Sequence, residues 1–316
     1  MLKVRGEEQE QLFLAARAIR KAYTNDVVSL RGVIEVTNVC RVNCDYCPMR
    51  RDNIKKNERF NMSEDDIFRM AEMIISSGIG IILIQGGEDR NILPAVEKAV
   101  RRIVSVYKDS VEIILNLGNF SKEQYIRLRD AGASSYILKH ETSDSSLFQR
   151  LRYEPLEDRL NNLVVLKSIG FNVGSGLISS LPGQSIESIA EDIQIALDYN
   201  VDMFSVSPFI PAPNTPLHLS PAGDNDLALN AIACVRILRP SILIPSVSAL
   251  EKNGPGGQYR GLSAGANVMT VNFTDIEHQK KYLIYGKDRF VVTKDHVKLT
   301  VEKVGMRLQH NNVPIM

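Results

Sequence analysis

The sequence predicts a (β/α)8 TIM-type barrel with an N-terminal helical extension and a C-terminal tail, and three observations lead there. Short β-branched runs alternate with amphipathic helical stretches, the pattern of parallel βα units. The runs number eight and recur at roughly 30-residue intervals, as a barrel requires. The chain has 316 residues, which accommodates the roughly 250 of a barrel and leaves a segment at each end. A doubly wound open sheet is the alternative arrangement of the same units.

In chain order, "MLKVRGEEQEQLFLAARAIRKAY" reads as an amphipathic helix and residues 1–30 as a helical extension. The candidate strands of the barrel, residues 31–275, are Val33 to Thr37, Ile79 to Ile84, Val111 to Leu117, Ser135 to Leu138, Asn172 to Ile178, Met203 to Val206, Ile242 to Ser246 and Asn267 to Val271. Helical stretches such as "MSEDDIFRMAEMIISSG", "SKEQYIRLRDAG", "EDRLNNLVVLKSIG", "SIESIAEDIQIALDYN" and "DNDLALNAIACVRILRP" lie between them. The first opens with Ser63 followed by Asp66, a capping-box spacing, and stops at Gly78. No linker rich in Pro, Gly or Ser divides the units, so residues 276–316 are expected as a tail packing on a single barrel. Chemistry in such a barrel sits at the C-terminal ends of its strands.

Composition bounds the partners. Hydrophobic residues make up 44% and charged residues 24%, as in an ordinary soluble globular protein. With 38 basic against 37 acidic residues the net charge is +1, so no long-range field recruits nucleic acid or an anionic membrane. No apolar run approaches the roughly 20 residues of a membrane span, and the N-terminal stretch is too charged for a signal peptide. A cytoplasmic location is expected.

Three of the four cysteines fall within "VIEVTNVCRVNCDYCP", where Cys40, Cys44 and Cys47 follow the first strand as Cys-x3-Cys-x2-Cys. A buried cluster of free thiols, a zinc site and a disulfide are the simpler readings. Structural zinc takes four ligands, usually in two separated pairs, and no second pair exists. A disulfide would leave one thiol odd and is rare in the cytosol. Three thiolates on one loop suit an iron–sulfur cube whose fourth iron lacks a cysteine. The remaining Cys234 sits in the apolar run "LNAIACVRIL" and reads as a small buried hydrophobe.

Other motifs lie at strand ends. "IQGGEDR" after the second strand holds Gly86, Gly87 and Glu88; two glycines make a simple turn or let a backbone approach a ligand closely. Glu141, in "LKHETSD", leaves the fourth strand, and Arg159, in "LEDRL", opens a helix. Each reads as solvated or as a ligand contact, an arginine being suited to a carboxylate by its bidentate fork. Ser207, Ser246, Ser248 and Asn272 either line a chamber or tie down loops, and Arg50 and Arg51 either hold the cysteine loop or face solvent.

The cysteine spacing, with aromatic Tyr46 before the last thiol, resembles the signature of the radical S-adenosylmethionine (SAM) superfamily. "IEVTNVCRVNCDYCPMRRDN", "IQGGED", "LKHETSD", "GLISSLPGQS", "DMFSVSPFIPAPNTPL" and "AGANVMTVNFT" together resemble its [FeFe]-hydrogenase maturase HydE branch. The resemblance implies a [4Fe–4S] cluster on Cys40, Cys44 and Cys47, with the amino and carboxylate groups of SAM on the open iron. One electron then splits the sulfonium bond, giving methionine and a 5′-deoxyadenosyl radical. It implies that Gly86, Gly87 and Glu88 meet the SAM amino group, that Glu141 meets its ribose or amino group, and that Arg159 meets its carboxylate. Tyr46 and Asn116 fall among the same cofactor-binding positions, while no catalytic residue is assigned.

The implied partners are a small-molecule or iron–cysteine substrate, an electron donor of ferredoxin or flavodoxin type, and other maturation proteins. Asn116 and Asn119 stand where HydE proteins tend to have Ser and Glu, and Pro48 replaces a glycine. Methylornithine synthase and biotin synthase share this group. The former's charged pair looks replaced by Ser205 and Ala249, and the latter's second cluster lacks cysteines here. A non-catalytic iron–sulfur electron-transfer or scaffold protein is the alternative of another class, and it has no use for a SAM pocket.

Overall fold

The computed structural model describes residues 1–309; the end of the expected tail, residues 310–316, lies outside them. After helix α1 (Gly6–Thr24) come β1 (Val27–Thr37), α2 (Glu64–Ser76), β2 (Ile81–Gly86), α3 (Leu93–Tyr107), β3 (Glu112–Asn116), α4 (Lys122–Asp130) and β4 (Ser135–Ile137). Then follow α5 (Ser145–Arg152), α6 (Leu156–Ser168), β5 (Asn172–Ser179), α7 (Ile186–Asp198), β6 (Met203–Pro208) and α8 (Asn225–Leu238). The chain continues with α9 (Ser248–Asn253), α10 (Gly257–Ser263), β7 (Val268–Asn272), α11 (Ile276–Lys281), α12 (Lys294–Val304) and β8 (Arg307–Leu308).

The strands pair in the order β6-β5-β4-β3-β2-β1-β7, with β8 added on β1, and every pairing is parallel. The gap between β6 and β7 is closed by residues 242–246, which bridge Met203 to Leu243 and Pro245 to Val268. This is the barrel the sequence predicts, in place of an open doubly wound sheet. The expected seventh strand is present as two isolated bridges; Pro240 and Pro245, with no amide hydrogen to give, limit its ladder.

Two expectations shift. β1 begins at Val27, six residues before its predicted start, and β8 pairs Val27 with Arg307 and Val28 with Leu308. The capping box at Ser63 and Asp66 forms as the spacing predicts. Helices bury one face against the outside of the sheet in a single large core. At Gly32 a Cβ would come within 2.6 Å of Ile74, so the missing side chain lets α2 seat on β1.

Inside the ring, Val33, Leu83, Ile114, Ile137 and Met203 form a separate apolar layer. Above it the barrel is hollow. α1 packs on α8, where Gln9 Nε2 donates to Asn230 Oδ1 at 2.8 Å. Among the described residues no helix is long and apolar enough to cross a membrane.

Candidate active site

β1 delivers the chain at Thr37 into the loop carrying Cys40, Cys44 and Cys47, all free thiols. Buried cations and amides fold this loop. Asp45 N–H donates to Leu151 O at 2.9 Å and Arg50 N–H to Cys47 O at 3.1 Å. Arg59 donates to the carbonyls of Asn38, of Met49 at 3.1 Å and of Arg50 at 3.0 Å. Arg50 is 7% exposed, bonds Asn43 Oδ1 at 2.9 Å and lies 3.4 Å from Asp45, whereas Arg51 is exposed. The pair undecided from sequence thus divides: Arg50 holds the loop and Arg51 faces solvent.

Cys44 is buried and Cys40 and Cys47 half-buried. Burial pushes the Cys44 thiol up to about 11, against the pull of Arg152. Burial also raises Cys40, and it raises Cys47 further, aided by the other two thiols. Cys44 thus feels the charge of Cys40, and Cys47 that of both. Among the described residues no three His, Cys, Asp or Glu side chains draw together around a single ion.

The glycine pair has a definite steric cause. A Cβ on Gly87 would run into the carbonyl of Val39, and one on Gly86 would lie 2.6 Å from Thr37 Cγ2. The close approach the glycines permit is to the backbone of the cysteine loop. Gly87 N–H donates to Thr37 O at 3.0 Å, Arg41 N–H to Glu88 O at 2.9 Å, and Glu88 N–H to Cys40 Sγ at 3.4 Å. The Glu88 carboxylate, 5% exposed, bonds Arg41 and lies 3.9 Å from Arg152 and 3.8 Å from Arg159. Glu154 shares Arg41 at 2.8 Å and Arg152 at 3.5 Å. Two carboxylates thus face three guanidiniums. The Nε atoms of Arg152 and Arg159 are both buried without a hydrogen bond, but Arg152 also bonds the Tyr46 hydroxyl.

A cavity of about 340 Å³ opens beside the loop and runs down into the barrel. Of the site residues expected from sequence, Tyr46, Cys47, Gly86, Asn116, Glu141 and Arg159 line it, while Cys40, Cys44, Gly87 and Glu88 stand behind its wall. Tyr46 is held by Arg152, which donates to its hydroxyl at 3.0 Å; burial pushes that phenol well above its usual range. Glu141 Oε2 lies 3.0 Å from Lys139 Nζ yet makes no well-directed hydrogen bond. Arg159 is 4% exposed, which overturns a solvated reading.

Ser205, Ser207, Ser246, Ser248 and Asn272 all line the cavity, and Ser246 also ties a loop, donating to Gln258 O at 2.8 Å. Ala249 does not line it, and Asn119 turns outward to accept from Asn162 at 3.2 Å. Cys234 is buried in α8 as expected.

Sequence reasoning missed half the chamber. Arg31 and Glu35 lie on the inward face of β1 with Val33 between them, and their two-residue alternation could have revealed both. Arg31 is 3% exposed, bonds Met203 Sδ at 3.0 Å and is lowered by burial to about 10. Tyr282, Ile284, Tyr285, Arg289, Phe290 and Val292 roof the cavity. No motif marks them. Arg289 grips Glu35 through two bonds of 2.6 Å, and burial raises Tyr285 to about 12 and Tyr282 well above its usual range.

A barrel whose first loop carries three uncrosslinked thiols beside a cavity with an unsatisfied carboxylate oxygen and an unsatisfied guanidinium is the architecture of a radical SAM enzyme. The chain belongs to the radical SAM superfamily, whose family pattern matches residues 34–196. Within it, the chain is 38% identical over 287 residues to the [FeFe] hydrogenase maturase subunit HydE of Thermotoga maritima, covering 90% of this chain and 82% of that protein. It is 27% identical to 3-methylornithine synthase of Methanosarcina acetivorans, covering 84% and 75%.

In fold it superposes on the crystal structure of methylornithine synthase (PylB) with a TM-score of 0.85, 24% identity and coverage of 98% and 92%. The hydrogenase maturase HydG follows at 0.80, 16% identity and coverage of 98% and 70%. The protein is thus a HydE-like radical SAM enzyme, and its cofactors are a [4Fe–4S] cluster and SAM. Three neighbouring thiols, an orphaned buried carboxylate oxygen and an orphaned guanidinium nitrogen fit that pair of groups.

Proposed function

We propose that Cys40, Cys44 and Cys47 hold the cluster and that SAM lies in the upper cavity between Tyr46, Gly86, Asn116, Glu141 and Arg159. When bound, the reduced cluster cleaves SAM to methionine and the 5′-deoxyadenosyl radical, which takes hydrogen from the substrate. The observation that carries the assignment is the pair of unsatisfied groups, Glu141 Oε2 and Arg159 Nε, on the cavity that Cys47 also borders. Glu141 has Lys139 3.0 Å away and Arg159 has Glu88 3.8 Å away, yet neither Oε2 nor Nε makes a hydrogen bond. Buried polar atoms gain by such a partner, and the ammonium and carboxylate of SAM supply one for each. Gly87 and Glu88 act by locking the cysteine loop to β2, with the Glu88 side chain engaged by arginines.

The chain's own residues do the rest. The roof from Tyr282 to Val292 and the apolar layer beneath keep water from a reactive intermediate. Charged lining residues number four cations, Arg31, Lys139, Arg159 and Arg289, against two carboxylates, Glu35 and Glu141. That balance suits an anionic substrate, and with the likeness to HydE it supports a small cysteine-derived or iron–cysteine compound in [FeFe]-hydrogenase cofactor assembly. The same reading includes an electron donor of ferredoxin or flavodoxin type, other maturation proteins and a cytoplasmic location. It takes the residues before β1 as the extension, the chain from β1 to residue 275 as the barrel and residues 276–309 as its covering tail.

Anaerobic reconstitution tests this. The protein should hold one [4Fe–4S] cluster whose spectrum changes when SAM is added, and Cys44→Ala should abolish it; zinc with no labile iron, or a cluster indifferent to SAM, overturns the assignment. Arg159→Ala should keep the cluster and lose about 2–5 kcal/mol of SAM binding, as for a desolvated charge pair deprived of one partner. Turnover should yield 5′-deoxyadenosine in response to cysteine-derived thiazolidines or an iron–cysteine complex. Accumulation of methylornithine from lysine would move the assignment to that branch.

A further inference from the structure

Glu141 occupies a backbone conformation rare for a residue with a side chain, at φ +65°. Across it Thr142 N–H donates to His140 O at 2.8 Å. Residues 140–142 therefore form a γ-turn with a left-handed central residue, the rarer and more strained of the two γ-turn forms. Strain of this kind persists only where the surroundings over-determine it, and it clusters at functional sites.

The surroundings grip the turn from both sides. On the barrel side Glu141 N–H donates to Gly176 O at 3.0 Å and Glu141 O accepts from Ile178 N–H at 2.9 Å. On the outer side the grip comes from α7. His140 is fully buried and does not line the cavity; its Nδ1 lies 2.9 Å from Ser175 Oγ and its Nε2 3.3 Å from Asp192 Oδ1. Asp192 is fully buried too. The same Oδ1 accepts the amide of Ser143, while Oδ2 accepts from Gln184 Nε2 at 3.3 Å. Ser143 Oγ adds a bond to Ser188 O at 2.9 Å. The Asp192 carboxylate thus holds Ser143, just past the γ-turn, and lies against His140, whose Nε2 makes no well-directed hydrogen bond; a carboxylate this enclosed is costly unless its partners are in place.

We infer that Asp192, acting through the Ser143 amide and packed against His140, is the positioning residue that sets the strained turn at Glu141 and aims the Glu141 carboxylate into the SAM cavity. The inference rests on the reading that Glu141 contacts SAM. Asp192 itself lies behind the wall and touches no ligand. Its contribution is to fix the direction of a side chain whose Oε2 is buried and free of hydrogen bonds.

The test uses cluster-loaded protein and two measurements: SAM affinity by equilibrium binding, and amide hydrogen exchange over residues 138–144 without SAM. Glu141→Ala should weaken binding at least tenfold. Asp192→Ala should weaken it about tenfold and speed exchange at residues 140–143, with iron content retained. Asp192→Asn, which keeps an acceptor for the Ser143 amide, should bind within about threefold of wild type, a rescue that general loosening of α7 would not give.

Wild-type affinity in Asp192→Ala beside a weakened Glu141→Ala overturns the inference and leaves the Glu141 reading standing. Wild-type affinity in Glu141→Ala removes both. Should Asp192→Ala fail to fold, Asp192→Ser, which withdraws the acceptor from the Ser143 amide while keeping a polar side chain, carries the same test. It should speed exchange at 140–143 and weaken SAM two- to fivefold, and wild-type values of both would overturn the inference.

Discussion

The cysteine loop between residues 38 and 62 and the C-terminal crossing between residues 276 and 293 wall the same cavity, and they are held in different ways. The loop is fixed by many partners: Arg50 and Arg59 donate into it, Asn53 Nδ2 bonds Pro48 O at 3.0 Å, and Gly87 packs against its backbone. The crossing depends on fewer. Its main tie is the Glu35–Arg289 pair, with Asn38 Nδ2 donating to Lys281 O at 2.8 Å and Asn272 N–H to Val292 O at 3.0 Å. A wall that must hold a metal cluster is built redundantly, whereas the wall beside the substrate centres on one buried ion pair, with exposed ones from Lys281 to Glu58 and Lys252 to Asp288 around it.

Gly87→Ala should produce the largest effect on this contrast. The new Cβ meets a backbone carbonyl at Val39, which has no rotamer to yield, so the loop must move. Cluster content should fall to near zero on anaerobic reconstitution while the crossing, measured by amide exchange over residues 276–293, stays as in wild type. Full iron loading in this variant would show that the loop is not fixed through the glycine pair.

The two walls also differ in how much of them can be read from sequence. The loop announces itself through spacing, since three thiols within eight positions have few other uses, and Glu141 and Arg159 stand at strand and helix ends where barrel sites collect. The crossing carries no such signal. Arg289 is 254 residues from Glu35, and nothing local tells a tail residue that it will meet the first strand. Glu35 and Arg31 were within reach, because charged residues on the inward face of a strand otherwise apolar must serve a chamber. The γ-turn at Glu141 was beyond reach, since its φ is imposed by β5 and α7 and not by a glycine. Asn119 shows a related limit: its place in the loop after β3 is legible but its side-chain contact with Asn162 is not.

Glu35→Gln should give the next largest effect, on the other wall. It leaves Arg289 buried and without its counter-charge, a loss of roughly 3–5 kcal/mol when one partner of a buried pair is removed. Exchange over residues 276–293 should rise by orders of magnitude while cluster content is unchanged. Replacing both partners, Glu35→Met with Arg289→Met, should restore much of the protection, because an apolar pair avoids the stranded charge. Unchanged exchange in Glu35→Gln would assign the crossing's stability to its apolar contacts.

Titration separates the walls on a smaller scale. In metal-free protein the thiols sit above their ordinary range, Cys44 at about 11, so the folded state holds protons that the unfolded chain releases. That contribution is complete below the usual thiol value near 8.5 and is lost as pH climbs toward 11, on the order of 3 kcal/mol for Cys44. Tyr285, at about 12, loses its share only between pH 10 and 12. Amide exchange should therefore loosen the loop from about pH 9 upward and the crossing about one pH unit later. Cluster-loaded protein, whose thiols bear iron instead of protons, should not show the earlier step.

The smallest effect separates two neighbouring arginines of the loop. Arg50, 7% exposed, serves Asn43 and Asp45, and its removal leaves the buried Asp45 carboxylate with the Tyr153 hydroxyl but no counter-charge. Arg51 keeps most of its side chain in solvent and lies 3.7 Å from an equally exposed Asp52, a geometry in which side-chain entropy and screening cancel most of the attraction. Arg50→Ala should lower Tm by a few degrees and reduce iron retention during gel filtration. Arg51→Ala should do neither, because no bond that shapes the loop passes through it. Equal losses in the two variants would mean that the loop is held by its overall positive charge rather than by the particular partners of Arg50, and the contrast between a many-tied wall and a single-tied one would then have to be redrawn in terms of charge density.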